Sequence, residues 1–401
     1  MMLKWFKNIG PGTLVAAAFI GPGTVTVCTL AGVGFGFTLL WAMMLSIVAA
    51  IILQEMSSRI GIVTRMGLAE VIKHQIKSPL LTKLAVILIL SAIVVGNTAY
   101  EAGNISGASL GLEALFGTEY WSFYPLVIGI SAIILLLLGN YKVLERILIV
   151  LVLIMSISFI GAAVLTKPDM FAVFKGIFSI SFPGESILTI VALVGTTVVP
   201  YNLFLHASLV KEKWQSEKDL RASRIDTIVS IIMGGLVSMS IIIAAAAIKT
   251  DTISSVLDLA KGLEPLYGSM AKYFLGIGLF AAGITSSVTA PLAAAYVADS
   301  CFNWKSKLTD WKFRMVWGGI IMVGIVLSSL KIKPIELIQF AQVANGILLP
   351  VVACFLVWVV NKKAVLKKYV NNKTQNIIAI AIVLIALLLG IKSILKVLAL
   401  L

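Results

Sequence analysis

Long apolar segments separated by short charged loops run through this chain, and they leave it few ways to fold. Of its 401 residues, 60% are hydrophobic and 12% are charged, more apolar surface than a soluble domain can bury. A helix needs roughly 20 mostly apolar residues to cross a bilayer, so we predict an all-α polytopic membrane protein with about eleven transmembrane helices. The predicted spans are 10–32, 37–60, 84–110, 122–139, 144–166, 185–210, 225–248, 270–297, 313–330, 334–361 and 375–399.

Two of these spans contain a proline near their middle. The run 16–31 is interrupted by Pro22 within the sequence GPGT, and the run 188–205 by Pro200 within VPYN. A break in a helix leaves backbone amides and carbonyls without partners, which a bilayer tolerates only where protein or a water-filled cavity supplies them. Two matched breaks therefore predict a substrate site at mid-membrane depth, as in secondary transporters built from repeats.

The breaks also indicate an internal repeat. Spans one to five and spans six to ten each open with a broken helix, and an odd number of spans per half gives the halves opposite orientations. This is the 5+5 inverted repeat of the leucine-transporter-like architecture. We expect a single transporter domain over 1–401, with repeat one at about 10–166, repeat two at about 185–361 and an extra helix at about 375–399.

Basic residues are concentrated on one side of the predicted topology. Counting loops alternately from the N terminus places 23 of the 32 Lys and Arg residues on the first side. Because short cytoplasmic loops carry this excess, we predict a cytoplasmic N terminus and an outside C terminus. The net charge of +14 then reflects topology and anionic lipid, with no nucleic-acid partner. The 23 residues are Lys4, Lys7, Arg59, Arg65, Lys73, Lys77, Lys83, Lys142, Arg146, Lys211, Lys213, Lys218, Arg221, Arg224, Lys305, Lys307, Lys312, Arg314, Lys362, Lys363, Lys367, Lys368 and Lys373.

The loops are typical of a membrane transporter and not of an enzyme. They contain no Gly-rich phosphate loop, zinc-ligand spacing or nucleophile–base pattern, and the three cysteines have no paired spacing. We therefore expect neither catalysis nor a cofactor. We expect a monomer in the cell membrane, and a compact chain without a targeting tail favours a bacterial inner membrane.

A series of short segments, in order along nearly the whole chain, resembles one known family. The segments are 10–12 (GPG), 53–54 (LQ), 59–64 (RIGIVT), Pro200 with 203–208 (LFLHAS), 263–266 (LEPL), 279–283 (LFAAG) with Ser286 and Ser287, and Gln342 with 345–350 (NGILLP). Their order and spacing resemble the Nramp (natural resistance-associated macrophage protein) family of divalent metal transporters. The resemblance implies that a divalent metal ion is the transported substrate.

The chain departs from that family at the expected metal ligands. Members that carry manganese and iron have an Asp-Pro-Gly-Asn turn in span one and a Met-Pro-His turn in span six, with Asp, Asn and Met side chains on the ion. Here Gly21, Thr24, Val199 and Tyr201 occupy the positions of the Asp, Asn, Met and His. The resemblance therefore implies a divergent member, without the carboxylate that neutralises the cation or the sulfur that favours transition metals.

Neutral oxygen atoms remain at the two breaks. We predict that Thr24 and Asn202 are metal ligands together with Gln342, whose family equivalent lies near the ion. Such a hard donor set suits a largely hydrated Mg²⁺. Helix N termini also favour anionic groups, so transport of a small organic solute such as an amino acid stays open, as does a receptor-like member that transports nothing. The predicted substrate-binding residues are Gly21, Thr24, Thr196, Val199, Tyr201, Asn202, Gln342 and Asn345.

Glu101 in span three is a functional candidate because an ionisable residue at membrane depth is costly. Asn97, Glu101 and Asn104 share one helical face. The resemblance implies that Glu101 matches a family acid associated with proton movement, and that His206 matches a family histidine. We predict a proton pathway through Glu101, Asn104 and His206, with weak or no coupling because the span-one Asp is absent. Helix-packing hydrogen bonds are the structural alternative.

Overall fold

The computed structural model describes residues 10–139, 141–248, 268–330 and 334–398, and the regular structure within these ranges is helical. Lys4, Lys7 and the segment 263–266 lie outside the described residues. In the described part, nine helices are long and apolar enough to cross a membrane, a bent helix pair makes a tenth span, and a shorter apolar helix occupies the place of predicted span four. The predicted all-α polytopic fold is confirmed.

The eleven predicted spans each coincide with helical structure. The spans are numbered in chain order: span 1, Pro11–Phe19 and Pro22–Phe35; span 2, Leu40–Thr64; span 3, Pro79–Phe116; span 4, Trp121–Leu137; span 5, Tyr141–Leu165; span 6, Ile187–Thr197 and Pro200–Lys213; span 7, Leu220–Ala245; span 8, Ala271–Phe302; span 9, Trp311–Ser328; span 10, Pro334–Val360; and span 11, Lys373–Leu398. Short helices Leu68–Gln75, Met170–Phe178 and Lys363–Leu366 connect some of them.

Both predicted helix breaks are present. Pro22 and Pro200 each occupy the first turn of a second half-helix, where the missing N–H group has no intrahelical partner to lose and the fixed φ angle suits the helix. The halves of span 1 meet at an angle of 53°. Span 6 is interrupted only over Val198 and Val199, and its two halves are not bent by more than 40°.

Span 3 is longer than the hydropathy pattern predicts. It starts at Pro79, where the Ser78 hydroxyl accepts a hydrogen bond from the backbone N–H of Leu81. It ends before Gly117, whose positive φ of 88° stops the helix. A π-helical turn at Ser91–Val95 lies inside the span, directly before its polar segment. Such turns rotate the residues that follow relative to an uninterrupted helix.

Glycines allow the spans around the breaks to approach closely. A Cβ atom on Gly107 of span 3 would lie 2.0 Å from the Cβ of Pro22, and one on Gly195 of span 6 would lie 2.3 Å from the carbonyl oxygen of Gln342 in span 10. Without water to drive helix association inside a bilayer, such small residues permit the close packing that holds the helices together. Spans 3 and 10 are therefore packed directly against the two breaks.

The start of span 1 is held by span 7. The two carboxylate oxygens of Asp226 accept hydrogen bonds of 2.8 Å from the backbone N–H groups of Gly10 and Gly12. The first amides of a helix have no intrahelical partners, and a carboxylate is a good acceptor for them. Asp226 thus joins the N-terminal half of span 1 to a helix more than 200 residues further along the chain.

A second polar group ties together spans 2 and 7 and the loop that leads into span 11, on the basic side of the molecule. We call Glu55, Arg59, Arg224, Tyr369 and Asn371 the Arg59 cluster. The guanidinium of Arg59, only 2% exposed, donates to the carbonyl of Tyr369 (2.9 Å), to Oδ1 of Asn371 (2.6 Å) and to Glu55 (3.0 Å). Glu55 also accepts from Arg224 at 2.7 Å. A buried arginine requires such partners, so this contact holds the two helices and the loop in place.

Gly195→Ala is expected to destabilise the packing of span 6 on span 10. The new Cβ would lie 2.3 Å from the carbonyl oxygen of Gln342 and 2.7 Å from the amide nitrogen of Gly346, and these backbone atoms move only if a helix moves. Overpacking of this kind costs about 1–3 kcal/mol, which thermal unfolding in detergent would detect. Gly161→Ala in span 5 is the control, because its Cβ would meet open space. Equal melting temperatures for the two variants would contradict the packing.

Candidate functional site

The carbonyl groups freed at the first break are satisfied by side chains. In a continuous helix the Ala18 carbonyl would accept from residue 22, but Pro22 has no N–H group. The hydroxyl of Tyr201 donates to this carbonyl instead, at 3.1 Å. The next carbonyl, of Phe19, accepts from the hydroxyl of Thr24. Two predicted site residues thus supply the hydrogen bonds that these carbonyls lack in the interrupted helix.

Thr24 also joins span 1 to span 6. Its hydroxyl oxygen lies 2.6 Å from that of Thr196. Because the Thr24 hydrogen is already donated to Phe19, Thr196 is the donor in this second bond. A hydroxyl oxygen has two lone pairs, so one lone pair of Thr24 is left for another donor or for a cation. Both threonines are fully buried.

Gly21, at the first break, has no space for a side chain. A Cβ atom there would lie 2.3 Å from the hydroxyl oxygen of Ser286 and 3.7 Å from that of Tyr100. Both hydroxyls are buried and have no hydrogen-bond partner among the described residues. Span 8 therefore places a neutral hydroxyl where the side chain of another residue at position 21 would begin.

Gln342 of span 10 lies against the first break. A Cβ atom on Gly23 would be 1.9 Å from its side-chain nitrogen, so the amide contacts the turn directly. The amide oxygen of Gln342 has no partner within the described part of the chain, and the same holds for the side-chain nitrogen of Asn345 one turn later. Both side chains are buried, so each leaves a polar atom unsatisfied.

Asn202 is the most exceptional polar group at the second break. It lies in the first turn of the half-helix that begins at Pro200, and it is fully buried. Neither its side-chain oxygen nor its side-chain nitrogen has a partner among the described residues. A buried amide without hydrogen bonds costs about 1–3 kcal/mol per group, so such an amide is expected to meet a ligand. Val199, immediately before Pro200, contributes a buried apolar side chain.

Glu101 lies at the contact of span 3 with spans 8 and 9. One carboxylate oxygen accepts from the side-chain nitrogen of Asn104 at 3.1 Å, and the other has no partner in the described structure. A Cβ atom on Gly324 of span 9 would lie 2.8 Å from the Cγ of Glu101. Asn97, on the same predicted face, instead donates to the carbonyl of Ala290. The predicted polar face therefore divides into a Glu101–Asn104 pair and a separate helix-packing bond.

His206 is positioned by span 2 and not by the Glu101–Asn104 pair. Its Nδ1 lies 3.0 Å from the side-chain oxygen of Gln54, so Nδ1 carries the proton in that bond. Its Nε2 atom is buried without a partner in the described residues. The sequence alone does not identify Gln54, Ser286 and Tyr100 as site residues, because only the folded structure brings these distant positions to the two breaks.

The site is almost free of negative charge. Glu101 and Asp226 are the only carboxylates buried among the described side chains. Both oxygens of Asp226 already accept hydrogen bonds from the start of span 1. The described part of the chain also contains no group of three or more His, Cys, Asp or Glu residues able to hold a metal ion. Any ligand at the breaks therefore meets hydroxyl, amide and carbonyl groups.

The model of the family "Nramp: Natural resistance-associated macrophage protein-like" matches residues 12–396 of this chain. The chain belongs to the Nramp family. The resemblance inferred from the ordered segments is thereby confirmed, and the match includes both breaks and extends from span 1 into span 11.

Relatives in this family include two bacterial proteins, each named divalent metal cation transporter MntH. The protein from Listeria welshimeri is 28% identical, with 97% of this chain and 89% of the relative covered. The protein from Bacillus subtilis is 26% identical, with 94% and 90% covered. The similarity therefore extends over nearly the full length of each protein.

Solved structures confirm the leucine-transporter-like fold. A mutant of the Eremococcus coleocola manganese transporter superposes with a TM-score of 0.82 at 20% identity, covering 97% of this chain and 87% of that one. MhsT, in complex with L-phenylalanine, gives 0.63 at 14% identity, with 96% and 97% covered. At these identities the comparison supports the shared fold, including its broken helices and inverted repeat, and no more.

Gly23→Ala is expected to displace the Gln342 side chain, because the added Cβ would lie 1.9 Å from its amide nitrogen. The variant should melt at a lower temperature than the parent protein, because overpacking of this kind lowers the free energy of unfolding by about 1–3 kcal/mol. Shortening the opposing side chain with Gln342→Ala should recover most of that loss in the double variant. Additive effects of the two substitutions in a double-mutant cycle would show that the two residues do not touch.

Proposed function

We propose that this chain carries a divalent metal cation across the membrane by alternating access around the two helix breaks. The observation that carries the proposal is the fully buried amide of Asn202, unpartnered within the described structure, at the second break. The chain's membership of the Nramp family, and its similarity to relatives named as divalent metal cation transporters, support a metal ion as the substrate. Thr24 and Gln342 would supply further oxygen ligands from spans 1 and 10.

Hard ions such as Mg²⁺ are the preferred substrates in this proposal. The proposed ligands are neutral oxygen atoms, and the Ser286 hydroxyl lies where a carboxylate on residue 21 would need space. Val199 provides no sulfur. Mg²⁺ keeps several of its waters and accepts oxygen ligands, whereas soft sulfur ligands help to select transition metals. Unpartnered groups such as the hydroxyl of Ser286 and the amide of Asn345 would bond the retained waters.

Proton coupling is proposed to be weak or absent. Gly21 places no titratable group at the first break. Glu101 and Asn104 are bonded to each other, whereas His206 is bonded to Gln54 in span 2, so the three members of the predicted proton pathway do not form one hydrogen-bonded chain. Glu101 is then a buried carboxylate at the contact of spans 3, 8 and 9.

The orientation follows from the loop charges. The N terminus would be cytoplasmic, the C terminus outside, and the Arg59 cluster on the cytoplasmic side of a bacterial cell membrane. In the structure, Gly21, Thr24, Thr196, Val199, Tyr201, Asn202, Gln342 and Asn345 are all buried. The proposed transport cycle therefore requires the contacts around the breaks to open on each side in turn.

Asn202→Leu and Thr24→Leu are expected to abolish uptake of Mg²⁺ into proteoliposomes that contain a magnesium-sensitive dye. Each change removes an oxygen ligand and replaces it with an apolar side chain, at the place where the cation must be partly dehydrated. The control is Ser240→Leu in span 7, because Ser240 is only partly buried and its hydroxyl bonds to a carbonyl of its own helix. Normal uptake by both site variants would refute this location.

The same assay separates the metal proposal from the organic-solute alternative. Mg²⁺, Mn²⁺ and Ca²⁺ are offered in parallel to the parent protein and to Asn202→Leu. Saturable entry of at least one ion, lost in the variant, supports a metal carrier. Absence of entry for all three ions, in vesicles that contain folded protein, would favour an organic substrate or a receptor-like protein.

Glu101→Gln is expected to take up metal as the parent protein does, and in neither protein should uptake be accompanied by a large change in luminal pH. Because proton coupling is proposed to be weak, the parent protein itself should acidify the vesicles little when metal enters, as recorded by a trapped pH-sensitive dye. Asn97→Ala serves as a control for general packing damage in the same span, since Asn97 bonds to a span 8 carbonyl. Strong metal-dependent acidification that disappears in Glu101→Gln alone would overturn this part of the proposal.

A further inference from the structure

A groove of about 440 Å³ lies between spans 10 and 11, near the loop that joins them. Apolar side chains of both spans line it, among them Trp358 of span 10 and Leu384 of span 11, while Asn361 and Lys362 lie at the loop end. This volume falls in the range of small-molecule binding sites. The groove is remote from the helix breaks, and its lining includes none of the proposed substrate ligands.

The loop beside this groove is strongly basic. The segment 361–376 contains five lysines and no acidic residue. Four of the lysines are exposed, and Lys362 is half-buried at the groove. Within the described structure none of the five takes part in an ion pair. Clusters of four to eight basic residues next to a transmembrane helix attract anionic lipid head groups, so the charge of this loop complements such a head group.

We propose that the groove binds an anionic phospholipid. An acyl chain lies along the apolar wall between spans 10 and 11, and the phosphate is held at the loop end by the Lys362 ammonium. The Lys362 ammonium lies 4.8 Å from the centre of the Trp358 ring, which places a cation and an amphipathic aromatic ring together where head group and chain meet. The concave apolar wall selects a lipid over free phosphate, and the lysines select an anionic lipid over a zwitterionic one.

A hydrogen-bonded chain connects this groove with the Arg59 cluster. The side-chain amides of Asn361 and Asn376 bond to each other in both directions, at 2.8 Å. Asn376 also accepts from Asn371 at 3.0 Å, and Asn371 accepts from Arg59. A lipid that fixes the loop end of the groove therefore stabilises the contact of spans 2 and 7 with the loop that leads into span 11.

The test uses the full-length protein in detergent, titrated with phosphatidylglycerol and with phosphatidylcholine of identical acyl chains. Native mass spectrometry counts the retained lipids, and thermal unfolding reports the effect on stability. We expect phosphatidylglycerol to bind and to raise the melting temperature, whereas phosphatidylcholine does neither. Lys362→Gln should weaken binding of phosphatidylglycerol roughly fivefold, the effect of one lost lysine–lipid contact. Lys307→Gln, in another basic loop, removes the same charge and should change nothing.

Two further experiments test the apolar wall and the head group separately. Leu384→Trp fills the apolar wall without changing any charge and should also abolish retention of phosphatidylglycerol. Glycerol phosphate, which has the head group but no acyl chain, should neither bind nor stabilise. Equal retention of the two phospholipids would show an unselective lipid-facing surface, and binding of glycerol phosphate would indicate a site for a free anion. Either result, or unchanged binding in Lys362→Gln, would overturn the proposal.

Discussion

The carbonyl groups freed at the first helix break are the constraint on which the rest of the structure depends. A bilayer offers no water to the carbonyls of Ala18 and Phe19, so the protein must supply donors itself. Tyr201 and Thr24 donate these hydrogen bonds. Because Tyr201 belongs to span 6, its bond to Ala18 connects the two helix breaks. The close glycine contacts of spans 3, 8 and 10 then enclose the repaired turn. Stability and the proposed site thus use the same few residues.

The same packing leaves only neutral groups at the first break. Position 21 is a glycine, and the Ser286 hydroxyl of span 8 is too close for a side chain to fit there unless Ser286 moves. The interior consequently contains unpaired neutral groups within the described structure, above all the Asn202 amide, and glycine provides no carboxylate at the first break. Because a neutral site gains little from full dehydration of a small divalent cation, the proposed substrate is an ion that keeps its waters.

Much of the fold follows from local sequence signals, whereas the partners of each polar group do not. The spans and the two breaks are predictable because apolar length and the lost N–H group of Pro22 or Pro200 act within one segment. The sequence predicts that Tyr201 lines the substrate site, but it does not predict that the Tyr201 hydroxyl bonds to a distant backbone carbonyl of span 1. The separation of Asn97 from Glu101 likewise depends on the packing of span 8, which helical periodicity alone cannot specify.

Ion selectivity tests most directly whether a site without a carboxylate selects a hard, hydrated cation. The measurement is the initial uptake rate of Mg²⁺ and of Mn²⁺ at equal concentrations into proteoliposomes that contain the parent protein, with protein-free vesicles as background. We expect saturable Mg²⁺ uptake that equals or exceeds Mn²⁺ uptake, and we expect a large excess of Mg²⁺ to inhibit Mn²⁺ entry. Rapid Mn²⁺ uptake with Mg²⁺ excluded would contradict the proposed selectivity.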